Sequence, residues 1–158
     1  MGEAQLRDAA ERMGWTHRDE PRPYRILMLH HHLMSATYRD DPISGHVYSV
    51  ALDAEAIMQW AVMYRVDLVL HGHMHEPFCA RVARPHVLGA NPTRWHTFYV
   101  AGMGSTAVER SHLGASGVNT FGVLRFGSGG PELFVYSISP NDKSKLLWSV
   151  VLSREVGL

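Results

Sequence analysis

The chain has 158 residues, enough to bury a sizeable core, and with 46% hydrophobic and 19% charged residues it reads as globular rather than disordered. Lys and Arg together number 15, as do Asp and Glu, so the formal net charge is zero, which argues against a broad nucleic-acid or membrane-binding face. The single cysteine, Cys79, excludes a disulfide framework within the chain and a zinc site built on thiolates; a reducing compartment, and so the cytoplasm, is the simplest expectation.

The first residues, MGEAQLRDAAERMGW, are polar and mixed in charge and lack the basic start and apolar run of a signal peptide. No apolar run approaches the roughly 18 residues of a membrane span. Residues 3–13 predict a short helix. Asp19, Pro21 and Pro23 then make an extended or turn-like stretch. Arg25-Ile26-Leu27-Met28-Leu29 has the length and composition of a short buried strand, and it stops at His30-His31-His32. Residues 35–50, with Asp40, Asp41, Pro42, Ser44 and Gly45, read as a loop. From Asp53, a fair N-cap, the period changes: Ala54, Ile57, Met58, Ala61 and Val62 form one apolar helical face. Trp60 and Tyr64 are packing candidates on that helix, and Met58 and Met63 read as core fillers. Val66-Asp67-Leu68-Val69-Leu70 is again a short buried strand and runs straight into His71-Gly72-His73-Met74-His75.

Strand, helix, strand over 25–71 predicts a right-handed βαβ unit with parallel strands. Candidate strands follow at 79–84, 97–101, 119–126, 132–138 and 145–152, separated by Gly, Pro, Asn and Ser, which predicts mostly antiparallel structure with hairpins. There is no internal repeat and no linker composition, so residues 1–158 are taken as a single domain.

Histidine is the unusual residue: the chain has 11, with three at 30–32 and three within 71–75. In open α/β sheets, ligand sites form beyond the C-terminal ends of parallel strands. His30 follows the first strand and His73 the second, so parallel neighbours would deliver both to one edge. His73 and His75, two apart, point to the same side of an extended segment. Gly72 lets the backbone turn sharply or approach a ligand closely. Converging imidazoles suit Zn, Mn, Fe, Co or Ni better than Ca or Mg, with bonds of about 2.0–2.2 Å. A lone His at a strand end is more often a polar cap; two clusters at matching strand ends favour the ligand reading. His17, His46, His86, His96 and His112 lack such pairing and read as ordinary surface or loop residues. Arg39, Arg65, Arg81 and Arg84 are candidates to meet a phosphate, Arg39 the best placed. Cys79 reads as a buried thiol.

The strand-His element Leu27-Met28-Leu29-His30-His31, followed by a helix and Val66-Asp67-Leu68-Val69-Leu70-His71-Gly72-His73-Met74-His75, resembles the calcineurin-like metallophosphoesterases. Ala101-Gly102-Met103-Gly104-Ser105 and Asn119-Thr120-Phe121 are similar to that family's second-sheet elements, so the resemblance covers about residues 25–150. It implies an α/β (α+β-like) fold: half of a two-sheet α/β/β/α sandwich, one βαβ unit followed by mostly antiparallel strands. It implies hydrolysis of phosphomonoester or phosphodiester bonds at a dinuclear centre of divalent transition ions (Mn, Fe or Zn). His30 and His73 would bind one ion and His75 the other. His31 would face the substrate phosphate as the catalytic residue, His71 would support the site, and His32 would point away.

The family's Asp-x-His, Gly-Asp and Gly-Asn-His elements occur nowhere in this sequence, and 24 residues precede the first strand. The chain is therefore expected to supply the C-terminal half of such a site, with Asp40, Asp41 and Glu76 as the nearby carboxylates. The alternative is a catalytically incomplete remnant, or a metal-binding or interaction module of the same fold. A sheet lacking its N-terminal strands leaves an apolar edge. Self-association, pairing with an N-terminal partner fragment, or poor solubility is the expectation. No membrane partner is expected, and nucleic acid is not indicated.

Overall fold

Leu6 and Ala10, four residues apart on one helical face, are the buried side of the first helix, α1 (Glu3–Arg12). The computed structural model describes residues 3–16, 22–34, 53–72, 75–88, 91–109, 113, 117–139 and 142–154. The apolar run after Arg25 forms strand β1 (Ile26–Leu29). Helix α2 (Ala54–Met63) buries Ala54, Ile57, Ala61 and Val62 as its period requires, and also Trp60, which packs against Trp15 and Tyr64. Asp53 takes the N-cap position as expected, without a side-chain cap hydrogen bond; Met63, expected in the core, is exposed because it lies across the helix from the buried stripe.

Strand β2 (Leu68–His71) runs parallel to β1, with Leu29 level with His71, so the βαβ unit is formed. Strands β3 (Pro77–Leu88) and β4 (Asn91–Met103) make a long antiparallel hairpin with a bulge at His86/Val87. The sheet order is β1-β2-β4-β3, so β4 lies parallel against β2 and the hairpin's first strand is pushed to the far edge. This part is mostly antiparallel, as expected, with the β2–β4 pairing as its parallel contact. The reason lies in the residues: Phe98-Tyr99-Val100-Ala101 is buried on both faces, as an interior parallel strand is. β3 carries Arg81 and Arg84 and suits an edge.

Strands β5 (Asn119–Gly127), β6 (Gly130–Ser139) and β7 (Asp142–Val151) form a separate antiparallel sheet. The architecture is thus α+β with two sheets. One core lies between the helices and the first sheet, built on Leu6, Ile57, Ala61, Val69, Phe98 and Val100. The other lies between the sheets, where Leu68, Tyr99 and Ala101 meet Leu133, Val135 and Leu152. Among the described residues, no helix is long and apolar enough to cross a membrane.

A polar cluster ties the chain ends to the first sheet. Asp67 accepts hydrogen bonds from Arg22 (2.5 and 2.7 Å), from the Arg25 backbone N–H (2.7 Å) and from Arg154 (2.9 and 3.0 Å). The fully buried Arg25 donates to the carbonyls of Thr16 and Tyr64, joining the end of α2 to the segment after α1. His96, on β4, donates through Nε2 to the Val66 carbonyl at 2.7 Å. Burial pushes the His96 pKa down, with the Val66 hydrogen bond opposing it. Its folded value thus lies below the unfolded value of about 6.5, and its contribution to stability is complete above that pH and lost as pH falls. We expect the thermal midpoint to be flat from pH 8 to 7 and to fall towards pH 5. His96→Gln should make that fall shallower. A midpoint independent of pH over this range would contradict the assignment.

Candidate metal centre

The register of β1 and β2 builds the candidate site. Leu29 pairs with His71, so His30 and Gly72 leave the sheet at the same edge, side by side. A Cβ placed on Gly72 would stand 3.9 Å from His30 Nδ1 and 3.9 Å from the His30 carbonyl oxygen. The residue before His73 therefore lies against the His30 imidazole. His30 and His31 are both exposed, their rings 5.0 Å apart and nearly perpendicular. His75 is half-buried and enters the turn with Glu76 just before β3. His73 and Met74 lie outside the described residues, as do Arg39, Asp40 and Asp41 in segment 35–52. Among the described residues, no three His, Cys, Asp or Glu side chains come together to hold a metal ion.

His71 closes β2 as a buried residue. Its Nδ1–H donates to the Gly72 carbonyl at 3.1 Å, which fixes the tautomer and holds the backbone leading into His73. Burial pushes its pKa down, outweighing that hydrogen bond, so the ring is neutral at pH 7. Its Nε2 is buried without a hydrogen-bond partner among the described residues. The ring packs 5.0 Å from Phe78 and 6.0 Å from His32.

His32, unlike the exposed His30 and His31, is fully buried, its ring 6.0 Å from that of His71. The exposed, exposed, buried sequence of His30, His31 and His32 is not a strand's alternation, so the chain has left the strand geometry by His32. His86 and His96 are not surface residues either. His86 is buried on β3, and His96 is tied to Val66 and stacks on Phe98. Of the candidate phosphate-binding arginines, Arg84 pairs instead with Glu55 at 2.5 Å, and Arg65 sits past the end of α2 at φ 49°. Cys79 is half-buried on β3, its thiol pushed up to about 11 by burial, which leaves it unreactive at neutral pH.

The glycine-rich element after β4 has a packing role beside the site. A Cβ on Gly102 would come within 2.8 Å of the Phe78 ring and 3.3 Å of His71 Cε1. Only glycine lets those two rings close over the sheet end. Gly104 has φ +74° and turns the chain toward the second sheet. There Thr120 donates from its hydroxyl to Met103 O (2.8 Å) and from its N–H to Ser105 O (2.7 Å). The Asn119 amide bridges both backbone groups of Val108.

Sequence reasoning missed the Asp67 cluster and the burial of Arg25. A signal was present: a carboxylate within Val66-Asp67-Leu68, an otherwise buried run, requires a partner cation. No protein-family model and no curated protein matches the chain.

Proposed function

We propose that this chain carries the C-terminal half of a metal-dependent phosphoesterase site, one that hydrolyses phosphomonoester or phosphodiester bonds. The supporting observation is the pairing of parallel strands that brings His30 beside Gly72, directly before His73. The exposed ring of His30 fits an imidazole donor at the sheet edge. In this reading His30 and His73 hold one divalent transition ion (Mn, Fe or Zn) and His75 contributes to a second. Such ions, when bound, activate water and neutralise charge on the phosphate oxygens.

The chain's own residues then have distinct tasks. His31, exposed beside His30, contacts a phosphate oxygen. His71 pins Gly72 and so orients the following ligand, as partners of metal ligands commonly do. The two packed sheets with helices outside the first are in keeping with half of an α/β/β/α phosphoesterase sandwich. Among the described residues β1 is an edge strand with Met28 76% exposed, which supports addition of an N-terminal partner fragment or self-association there. The reading goes with a cytoplasmic protein and no membrane partner; nucleic acid is not indicated.

One observation favours the alternative, a metal-binding or interaction module without hydrolysis: the sequence holds no Asp-x-His, Gly-Asp or Gly-Asn-His element. Hydrolysis of an aryl phosphodiester with Mn separates the two. Phosphoesterase function predicts turnover that falls by at least about 100-fold in both His73→Ala and His75→Ala, the scale of losing an essential electrostatic group. Metal binding without turnover, alone or with a supplied N-terminal fragment, would leave only the module.

A further inference from the structure

A buried imidazole with one nitrogen committed to a hydrogen bond still needs a partner for the other. His71 is in that position. Its Nδ1–H goes to the Gly72 carbonyl, which leaves Nε2 of the neutral ring as an acceptor. That nitrogen is buried and accepts no hydrogen bond among the described residues. The ring has little room to turn away: Phe78 packs 5.0 Å from it, and a Cβ on Gly102 would stand 3.3 Å from its Cε1. A polar side chain is enclosed with it, that of His32, at 6.0 Å from ring to ring. His32 is fully buried, both its ring nitrogens lie out of solvent, and the next residue, Leu33, belongs to the core.

We propose that His32 is a positioning residue of the metal centre: it donates a ring N–H to His71 Nε2 through one enclosed water and so ties the two histidine clusters together beneath the sheet edge. The spacing suits a bridge. At 6.0 Å between centroids, the ring nitrogens lie beyond direct hydrogen-bond reach and within the span of a single water. A water with a donor on one side and an acceptor on the other is held as buried waters are.

The place in the chain gives the pair its task. His32 stands two residues after His30, and His71 two residues before His73. The β1–β2 register ends at Leu29 and His71. The His32–His71 contact continues the tie past that level, to the segments that carry the two proposed ligands. His71 already fixes Gly72, so a partner that fixes the His71 ring acts on His73 through it. The inference rests on the metal reading above, since a positioning residue needs a centre to position.

Zn affinity, measured by competition with a chelating dye and with melting midpoints alongside, tests it. His32→Leu, close to histidine in volume but unable to donate, should weaken Zn binding about 10–100-fold, the scale for partners of metal ligands, while the midpoint holds. His32→Gln, which keeps an N–H, should recover most of that affinity. His71→Leu should lose at least as much, and adding His32→Leu to it should cost nothing more, because His32 acts through His71. A purely structural role would lower the midpoint, let affinity follow it, and leave glutamine no better than leucine; that pattern overturns the proposal. Should His32→Leu fail to fold, nitrogen-15 spectra of the wild-type imidazoles decide. His71 is expected as the Nδ1–H tautomer and His32 with a slowly exchanging ring N–H; a His32 ring N–H in fast exchange with solvent overturns the proposal. Zn binding unchanged in His32→Leu, or losses that add in the double variant, overturn the inference and leave the metal centre standing. A wild type that binds no Zn overturns the metal reading and this inference with it.

Discussion

Replacing Asp67 by alanine is expected to remove about 3–5 kcal/mol of stability, because breaking a buried ion cluster from one side leaves its partners uncompensated. Asp67 is 3% exposed and binds Arg22, Arg154 and the Arg25 N–H at once. Arg22 is itself nearly buried, so its charge would have no solvent to turn to. The contacts also carry topology: they hold residue 22 before β1 and residue 154 after β7 against the start of β2. For a chain of this size the midpoint should fall by about 6–20 °C. Burial pushes the Asp67 carboxyl up, but the hydrogen bonds from Arg22, Arg154 and the Arg25 N–H outweigh it and hold the pKa below the ordinary 3.8. Its stabilisation is therefore complete above that value and lost only as pH falls through the folded pKa. Asp67→Ala should remove this acid-range dependence together with the stability. A loss under about 1 kcal/mol in urea unfolding would mean that the cluster is a surface-like ion pair, contrary to its burial.

Gly104→Ala is expected to cost about 2–5 kcal/mol, summing the penalty of a left-handed alanine and that of overpacking. The backbone there has φ +74°, and an added Cβ would overlap Thr120 Oγ1. Thr120 cannot simply rotate aside, since its hydroxyl is committed to Met103 O. The two causes separate in a double-mutant cycle. Thr120→Ala should relieve the overlap in Gly104→Ala but leave the backbone penalty, so the double variant should be less unstable than the sum of the two singles. Strict additivity would show that the overlap contributes nothing.

The βαβ unit was legible because its signals are local and periodic: two short apolar runs around a helical stripe, each ending in histidines. The strands after residue 76 were legible individually from their alternation and their Gly and Pro borders, and β5 begins where expected, at Asn119. The insertion of β4 beside β2 was not, since non-local partner choice leaves no local mark beyond the doubly buried run Phe98–Ala101. The site divides along the same line. His30 at a strand end and its closeness to Gly72 follow from strand direction alone. The inward turn of His32, the buried ring of His71 against Phe78 and the need for Gly102 all depend on packing between distant segments. The Arg22–Asp67–Arg154 cluster joins residues from both ends of the chain, and charge counting alone does not pair them. Arg84, a candidate for phosphate on type alone, is bound to Glu55 across α2 and β3.

The central claim, that the two histidine clusters form one metal centre at the ends of β1 and β2, is tested most directly by metal content. The chain would be loaded with Zn or Mn, desalted, and measured by atomic emission. The account predicts at least about one ion per chain, as expected for a protein-held transition metal, falling to background in His30→Ala and in His73→Ala while circular dichroism stays unchanged. Wild-type protein that retains no metal, or His30→Ala protein that retains the full amount, would contradict it.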